Sequence, residues 1–279
     1  MNSTSKAAQQ FRAGDSGLRH SVHPEPAARS ALRQSLVHTT RQPMISFIVP
    51  AHNEEAWVGR CVSAIHSGAE FLGEPHEIIV VDDASTDATA SIAQQQGARV
   101  IRVEHRQISA TRNAGVPSAH GDILFFVDAD TLVNAAAIQS ALRSVRAGAV
   151  GGGCLPRFEG WLPWWWRLGL PVMERLCRWL NAFPSGACLF CTRGVFETAG
   201  GFDENYYAME DCVFVRALKR QGRFVIPAET VVTSGRKPRA YSFMSYSKLF
   251  MRVTFLGSRG LRSRRGLEFW YESEREKAK

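Results

Sequence analysis

Short apolar runs and amphipathic stretches alternate along the chain from residue 44 onward. The apolar runs predict strands at residues 44–50, 77–82, 98–103 and 122–127. Apolar residues at helical spacing predict helices between them, at residues 56–68, 85–96 and 108–118. Continuous apolar strands that alternate with helices are typical of a parallel sheet covered on both faces. The pattern therefore predicts an α/β fold with a mostly parallel central sheet.

The regular alternation fades after residue 150, and a mixed second half is predicted to complete the fold. Its elements are predicted as a strand, a helix and a strand, at residues 187–192, 210–222 and 224–227. Residues 1–43 are polar and lack a hydrophobic period, so we expect a disordered N-terminal leader. The expected organisation is this leader, a main domain at residues 44–235, and a basic, helical C-terminal extension at residues 236–279.

Positive charge is concentrated in the two flanks of the chain. The formal net charge of the 279 residues is +8. Residues 44–235 nevertheless hold sixteen basic and twenty acidic side chains, whereas residues 236–265 hold nine basic and no acidic ones. Such a basic segment can bind nucleic acid, a polyanion or an anionic membrane surface. The distribution of tryptophans favours the membrane, and no nucleic-acid partner is expected.

Five of the seven tryptophans fall within residues 161–180. Apolar residues recur there at helical spacing, while Arg167, Glu174 and Arg178 share another face. A helix that combines tryptophans with basic residues suits a membrane interface, and the alternative is an ordinary core or oligomer helix. Pro171 is expected to break this helix. The segment predicts peripheral membrane contact.

Cysteine usage and the absence of targeting segments bear on the compartment. Six cysteines scattered through a chain of this size are too sparse for a disulfide scaffold and indicate a reducing compartment. Cys188 and Cys191 have metal-type spacing but no second pair, so we expect buried structural thiols on opposite faces of a strand. No signal peptide or transmembrane stretch is recognised. The expected location is the cytoplasm, with peripheral contact to the inner face of the membrane.

Polar clusters follow three of the predicted strands, at residues 50–55, 82–87 and 128–131. In open parallel sheets, ligands collect beyond the carboxyl ends of the strands. Asp128 and Asp130 follow a buried strand at a spacing that turns both carboxylates the same way in extended backbone. Hard oxygen ligands of this kind suit Mg²⁺ or Mn²⁺ bound together with substrate phosphates. The alternative for this short motif is a solvated turn.

Two further acidic pairs have a structural alternative beside the functional one. Asp82 and Asp83 precede Ser85 and Asp87, which are good helix-capping residues, yet two adjacent acids exceed what a cap requires. Glu210-Asp211 begins a predicted helix, where acids are favoured by the helix dipole. A carboxylate near a metal-diphosphate site can also act as a general base.

Six short motifs occur in one order along residues 44–223. They are Pro50-Ala51-His52-Asn53-Glu54-Glu55, Val81-Asp82-Asp83-Ala84-Ser85-Thr86-Asp87, Arg112-Asn113-Ala114-Gly115, Val127-Asp128-Ala129-Asp130, Gly200-Gly201-Phe202-Asp203-Glu204 and Glu210-Asp211. In this order the chain resembles the family 2 glycosyltransferases of the Rossmann-like GT-A fold. The resemblance implies a metal-assisted, inverting transfer of a sugar, hexosyltransferase-like, from a nucleotide-diphosphate sugar, usually a UDP-sugar, to an acceptor hydroxyl.

The resemblance also implies a role for each matching position. Residues of the donor site would be Pro50, Ala51, His52, Asn53, Glu54, Asp83, Arg112, Asn113, Asp128 and Ala129. His52 stands where many members carry an aromatic that stacks on the base, and Asp83 would hydrogen-bond the base. Asp130, with Asp128, would hold Mn²⁺ or Mg²⁺. Asp211, with Glu210 beside it, would be the catalytic base.

Arg236 lies where family members often place a residue that closes over the diphosphate. Its guanidinium suits bidentate phosphate contact, and the alternative is a solvated basic loop. As a further step from membrane contact, the tryptophan-rich segment and the basic stretch at residues 236–265 suggest an acceptor that is lipid-linked or membrane-associated. The competing functions are a nucleotide-sugar-binding scaffold without turnover and a nucleotidylyltransferase-like enzyme. The latter typically has a glycine-rich, basic phosphate loop after its first strand, which residues 50–55 lack.

Overall fold

The computed structural model describes residues 44–180 and 186–240, together with Met244 and Arg262. Its strands are β1 (Ile45–Ala51), β2 (His76–Asp83), β3 (Arg99–Val103), β4 (Ile123–Val127), β5 (Thr131–Leu132), β6 (Gly151–Gly153), β7 (Leu155–Glu159), β8 (Cys188–Thr192), β9 (Phe224–Val225) and β10 (Thr230–Ser234). Its helices are α1 (Val58–Phe71), α2 (Thr89–Gln95), α3 (Ile108–Gly115), α4 (Ala135–Arg146), α5 (Trp164–Leu180), α6 (Arg193–Ala199), α7 (Glu210–Gln221) and α8 (Arg236–Ala240).

A seven-stranded sheet in the order β3-β2-β1-β4-β8-β6-β9 forms the centre of the fold. The pairs β3-β2, β2-β1, β1-β4 and β6-β9 are parallel, and β8 is antiparallel to both of its neighbours. Every residue of β1 and of β4 is buried. Such strands are apolar on both faces because both faces carry helices. The predicted mostly parallel sheet with a mixed second half is confirmed.

Two apolar layers cover the two faces of this sheet. On one face, Phe47 and Phe125 contact each other at a tilt, with ring centroids 4.9 Å apart, and pack with residues of α1 and α4. On the other face, Phe126 contacts Phe196 of α6 and Phe214 of α7. Side chains alternate between the faces along each strand, as the period of two requires. The central sheet is therefore buried between these two layers.

A small second sheet, in the order β5-β10-β7, stands next to the carboxyl end of β4. Strand β10 pairs antiparallel with β5, which begins directly after Asp130, and parallel with β7. The hydroxyls of Thr131 and Thr233 are 3.0 Å apart across the first of these pairs. This sheet brings the start of α8 to the loop that follows β4.

The prediction that Pro171 breaks the tryptophan-rich helix is wrong, because α5 continues through it from Trp164 to Leu180. A proline inside a helix removes one hydrogen bond and bends the helix without having to end it. Pro171 is exposed, and so is Arg167, whose carbonyl lies one turn before the proline. Water can therefore satisfy that carbonyl. None of the described helices is long and apolar enough to cross a membrane.

All six cysteines lie in the described part of the chain, are buried and form no disulfide. Cys188 and Cys191 belong to β8 and pack into the two different apolar layers, as predicted for structural thiols. The predicted leader at residues 1–43 lies outside the described residues. Of the predicted C-terminal extension, residues 236–240 form α8, and the remainder apart from Met244 and Arg262 also lies outside them.

Candidate active site

The three polar clusters that follow predicted strands lie on one edge of the central sheet. Strands β2, β1 and β4 are adjacent and parallel, so their carboxyl ends, at Asp83, Ala51 and Val127, lie side by side. Pro50 and Ala51 are buried within β1, and Ala129 is buried between the two acids that follow β4. The expected grouping of the loops at this edge is what the structure shows.

The loop after β1 is tied to the loop after β2 by reciprocal hydrogen bonds. The Asn53 amide donates to Ser85 Oγ (2.9 Å), and the Thr86 amide donates to Asn53 Oδ1 (2.8 Å). The Glu54 amide donates to Thr89 Oγ1 (2.7 Å) at the start of α2. Asn53 has φ 51°, a left-handed conformation that asparagine tolerates better than most residues. Asn53 therefore shapes the loop with its backbone and its side chain.

Asp83 anchors the segment that leads from β3 into α3. Its carboxylate accepts hydrogen bonds from the amides of Arg106 (2.8 Å) and Gln107 (3.2 Å) and from Thr111 Oγ1 (2.7 Å). Arg106 Nη1 in turn lies 2.9 Å from His52 Nε2. Asp83 and His52, both predicted for the base pocket, are thus joined through Arg106.

Arg106 was missed in the sequence, although it follows the end of β3 just as the other candidates follow β2, β1 and β4. The same strand-end criterion, applied to residues 104–106, would have found it.

Arg112 is a buried bridge between the two acidic motifs. Its side chain is 1% exposed, and its guanidinium donates to Asp128 Oδ1 (2.8 Å) and Glu210 Oε1 (2.9 Å). A third bond runs to the carbonyl of Gly186 (3.2 Å). Although burial lowers the pKa of Arg112, the charges of Asp128 and Glu210 raise it above its ordinary value. The predicted donor-site residue Arg112 therefore faces inward and holds two other site residues.

Asn113, predicted beside Arg112 in the donor site, is engaged elsewhere. Its amide group pairs with the backbone of Phe202, donating to the carbonyl (2.8 Å) and accepting from the amide (2.9 Å). Position 201 favours glycine for two reasons: a Cβ there would lie 2.9 Å from Asn113 Oδ1, and the backbone has φ 70°, which is strained for other residues. Asn113 therefore fixes the Gly200–Glu204 loop and is not brought together with the other candidates.

Glu210 and Asp211 begin α7 but face different surroundings. Glu210 is 6% exposed and bonded to Arg112. Burial, with the charge of Asp211 adding to it, raises the pKa of Glu210 to about 7 despite the opposing charge of Arg112. Asp211 is only partly buried. A Cβ built on Gly186 would lie 3.1 Å from both Asp211 Oδ2 and Arg112 Nη2, so the absence of a side chain at position 186 leaves Asp211 open beside the bridge.

Asp130 forms a second buried ion cluster with Arg236 and Glu54. Arg236 Nη2 donates to Asp130 Oδ2 (3.0 Å) and also to Glu54 Oε1. All three side chains are at most 11% exposed. Although burial lowers the pKa of Arg236, Asp130 and Glu54 raise it well above its ordinary value. The interpretation of Arg236 as part of a solvated basic loop is therefore wrong.

The residues present fit a divalent cation. Glu54 and Asp130 direct carboxylate oxygens at one positively charged nitrogen, so the backbone already brings hard oxygen ligands to a common point. Among the described residues, no group of three or more His, Cys, Asp or Glu side chains is arranged to hold a metal by itself. Mg²⁺ and Mn²⁺ sites commonly use one or two carboxylates and complete their shell with substrate phosphates. The expectation of extended backbone at Asp128 and Asp130 is wrong, because the Thr131 amide donates to the Asp128 carbonyl (2.9 Å) and closes a turn. The two carboxylates pair with different arginines, Arg112 and Arg236, and Asp130 is the one suited to such a shared site.

Comparison with known proteins places this site in a family. Residues 46–200, more than half of the chain, match the family model described as Glycosyl transferase family 2. The chain belongs to this family. Three of the six sequence motifs that indicated the family, at residues 50–55, 81–87 and 127–130, lie at the strand ends described above.

Individual relatives are similar over shorter segments. The glycosyltransferase AglE of Haloferax volcanii is 33% identical over 98 residues, which are 33% of this chain and 32% of AglE. The undecaprenyl-phosphate 4-deoxy-4-formamido-L-arabinose transferase of an Enterobacter strain is 29% identical over 93 residues, 31% of this chain and 28% of that enzyme. The chain thus matches about a third of the length of these relatives.

One solved structure is similar over most of the chain. Glucosyl-3-phosphoglycerate synthase from Mycobacterium tuberculosis, in complex with Mn²⁺, uridine diphosphate and phosphoglyceric acid, aligns with a TM-score of 0.53 and 20% identity. The alignment covers 79% of this chain and 80% of that chain. At this identity the likeness establishes the fold, and the predicted GT-A architecture is confirmed.

Proposed function

We propose that this glycosyltransferase moves a sugar from a nucleoside-diphosphate sugar, a UDP-sugar by preference, to an acceptor hydroxyl with inversion and with the help of a divalent metal. The observation that carries the proposal is the buried bridge of Arg112. It joins Asp128 of the donor-side motif to Glu210, the neighbour of Asp211, across 2.8 and 2.9 Å. A leaving-group site and a base site are thereby held at a fixed separation, which displacement at one carbon requires.

On the donor side, Asp130 and Asp128 would hold Mn²⁺ or Mg²⁺ together with the diphosphate. When bound, the metal supplies Lewis-acid stabilisation of the departing diphosphate. The loop from Pro50 to Glu54 and the Asp83–Arg106–His52 chain would receive the nucleoside. Histidine and a guanidinium can both stack on a base. The Mn²⁺ and uridine diphosphate held by the similar Mycobacterium tuberculosis synthase support this assignment.

On the acceptor side, Asp211 would take the proton of the attacking hydroxyl. It is the less buried of the two adjacent acids, and Gly186 leaves it open. Glu210 would act as a positioning residue, because its carboxylate is committed to Arg112. A single general base on the face opposite the diphosphate gives direct displacement, and therefore inversion at the anomeric carbon.

A thermal-shift screen of nucleotide sugars, each with and without Mn²⁺, tests the donor and the metal together. A ligand that binds only the folded state raises the melting temperature by mass action. We expect a nucleoside-diphosphate sugar to raise the melting temperature of the parent protein more with Mn²⁺ than without it. Asp130→Ala should lose the Mn²⁺-dependent part of the shift. The proposal is overturned if no nucleoside-diphosphate sugar stabilises the protein, or if Asp130→Ala keeps the full metal response.

We also propose that the protein works at the cytoplasmic face of a membrane and that its acceptor is lipid-linked. Helix α5 exposes Trp164, Leu168, Val172 and Leu176 at intervals of four residues, each at least 49% exposed. Trp179, 80% exposed, extends this apolar stripe at the last turn. Residues four apart lie on one face of a helix, so the stripe is continuous.

Charge and position support a lipid surface over a protein partner. Arg167 and Arg175 are exposed on the same helix, and residues 236–265 carry nine further positive charges without an acidic residue. Apolar residues bordered by arginines match an anionic membrane interface. Gly186, which stands against Asp211, follows Leu180 by six residues in the sequence. The name of the undecaprenyl-phosphate transferase relative is in keeping with such an acceptor.

Flotation with phosphatidylcholine vesicles, with and without phosphatidylglycerol, tests the membrane proposal. The double variant Leu168→Glu/Val172→Glu should lose binding to the anionic vesicles. The control Phe71→Glu changes an equally apolar side chain that is 82% exposed on α1, and it should bind like the parent. Equal binding of the parent and the double variant, or equal loss in the control, would refute α5 as the docking surface.

A further inference from the structure

The guanidinium of Arg236 is bound to the Asp130 carboxylate, whose oxygens the proposed metal would need as ligands. Arg236 Nη2 is 3.0 Å from Asp130 Oδ2, and the same nitrogen donates to Glu54. Both carboxylates are about nine-tenths buried, so little water competes for them. A dication bound to Asp130 and the guanidinium in this position would repel each other at short range.

The backbone around Arg236 is held independently of this ion cluster. The Arg236 amide donates to Ser234 Oγ (3.2 Å), and the Ser234 amide donates to the carbonyl of Asp130 (3.1 Å). One turn later, Arg239 donates to the carbonyl of Glu159 (3.1 Å). These bonds do not involve the guanidinium of Arg236. The side chain can therefore leave Asp130 by rotating about its own bonds while α8 stays in place.

The charge balance of the cluster favours exchange over permanent pairing. The carboxylates of Asp130 and Glu54 share one guanidinium nitrogen in a largely buried place. A divalent cation carries twice the positive charge of Arg236 and therefore attracts the two carboxylates more strongly. Arg236, once displaced, keeps its charge, because Arg side chains do not deprotonate in proteins. It would then need an anion, and the donor diphosphate is the nearest that the proposed reaction provides.

We propose that Arg236 is an internal cation that competes with the divalent metal for Asp130 and so couples metal binding to donor binding. This competition rests on the proposed metal role of Asp130, and it makes the binding of the metal depend on the binding of the donor. The metal alone binds weakly because it must displace Arg236. Metal and diphosphate together bind strongly because the displaced guanidinium gains the diphosphate as its partner.

Mn²⁺ titration followed by electron paramagnetic resonance of the free ion, without any nucleotide, measures this competition directly. We expect Arg236→Ala to bind Mn²⁺ at least about tenfold more tightly than the parent, since a unit charge next to the ligand oxygen is removed. Arg236→Lys keeps the charge and should stay within about threefold of the parent. Arg146→Ala is the matched control. It also removes one positive charge from an ion pair, with Glu74 just before the amino end of β2, and should leave the Mn²⁺ affinity unchanged.

The same titration with UDP present separates this inference from a simple phosphate clamp. In the parent, UDP should tighten Mn²⁺ binding strongly, and in Arg236→Ala this gain should shrink by about tenfold or more. Unchanged or weaker Mn²⁺ binding by Arg236→Ala without nucleotide, with an unchanged circular dichroism spectrum, overturns the competition. If Asp130→Ala binds Mn²⁺ as the parent does, the metal role itself is wrong, and the proposed function fails together with the inference.

Discussion

Replacing Arg112 with methionine probes the buried bridge on which the proposed site depends. The guanidinium is 1% exposed and bonds to Asp128, Glu210 and the Gly186 carbonyl. Methionine fills a similar volume but donates no hydrogen bond. Arg112→Met would therefore leave two carboxylates and one carbonyl without their donor while keeping the packing against Phe202, whose ring centroid lies 5.1 Å from the guanidinium carbon.

The loss can be estimated from the burial of each partner. Removing one member of a buried ion pair costs about 3–5 kcal/mol, because the other charge stays buried and unpaired. Glu210 limits this cost, since a carboxyl whose pKa is already raised to about 7 takes up a proton readily. Asp128, whose side chain is 24% exposed, recovers part of its hydration. We therefore expect a loss of about 3 kcal/mol in the free energy of unfolding.

Equilibrium unfolding in urea at about neutral pH measures this loss, with the m-value checking that the transition stays two-state. Arg60→Ala is the matched control: it breaks an arginine–glutamate pair whose side chains are 50% and 42% exposed, and it should cost at most about 1 kcal/mol. The double variant Arg112→Met/Glu210→Met should be less destabilised than the sum of the single variants. A loss below about 1 kcal/mol for Arg112→Met, or additive single variants, would refute the bridge as a stabilising element.

Two further predictions concern Glu210 and the glycine strand β6. Because burial raises the pKa of Glu210 from 4.5 to about 7, the folded state binds more protons than the unfolded state within this window. As the pH rises from 4.5 to about 7, the free energy of unfolding of the parent should therefore fall by up to about 3 kcal/mol relative to that of Glu210→Gln. Urea unfolding at several pH values measures this difference. A difference that stays constant or rises with pH would contradict the raised pKa. Gly152→Ala should cost about 2 kcal/mol or more, because its Cβ would lie 2.2 Å from the Val225 carbonyl oxygen. Gly194→Ala is the control, because no atom lies within 4 Å of the new Cβ in α6; it should be neutral or stabilising in the same assay. Equal effects of the two substitutions would show that the close approach of the chains at β6 does not limit stability.

The strand-end criterion predicted the site because it relies on local pattern and on one geometric rule. Apolar runs mark buried strands, and parallel strands bring their carboxyl ends to one edge. That is sufficient to group Asp83, Asp128 and the Asn53 loop without knowing the order of the strands. The family motifs added Glu210 and Asp211, whose position at a helix start carries no such signal by itself.

The pairing of the charged residues could not be predicted from the sequence. Arg112 and Glu210 are 98 residues apart, and Arg236 and Glu54 are 182 apart. A pattern shows that each is polar and near an element boundary, but any of several arginines could have met any of several acids. Only the tertiary structure, which brings Arg112 of α3 to the start of α7 and pairs β10 with β5, selects the partners. For this reason Arg112 was expected at the donor, although it faces inward.

The elements missed after residue 130 differ in their causes. Helix α4 had a readable start, because Asn134 caps it by accepting from the Ala137 amide (2.8 Å) and apolar residues recur at Ile138 and Leu142. Strand β6 had none, since its three residues are glycines, which disfavour strands by themselves. Its conformation comes from the close approach of Phe190 and Val225 on neighbouring strands, which leaves no room for side chains.

The turnover number of Asp211→Asn, with the donor found in the screen, tests the central claim most directly. The substitution keeps the size of the side chain and removes its ability to take up a proton. With saturating donor, metal and acceptor, we expect kcat to fall by about 10²- to 10⁴-fold while the melting temperature and the Mn²⁺-dependent donor shift stay those of the parent. An Asp211→Asn protein that transfers sugar at the parental rate would contradict Asp211 as the base and, with it, the proposed inverting mechanism.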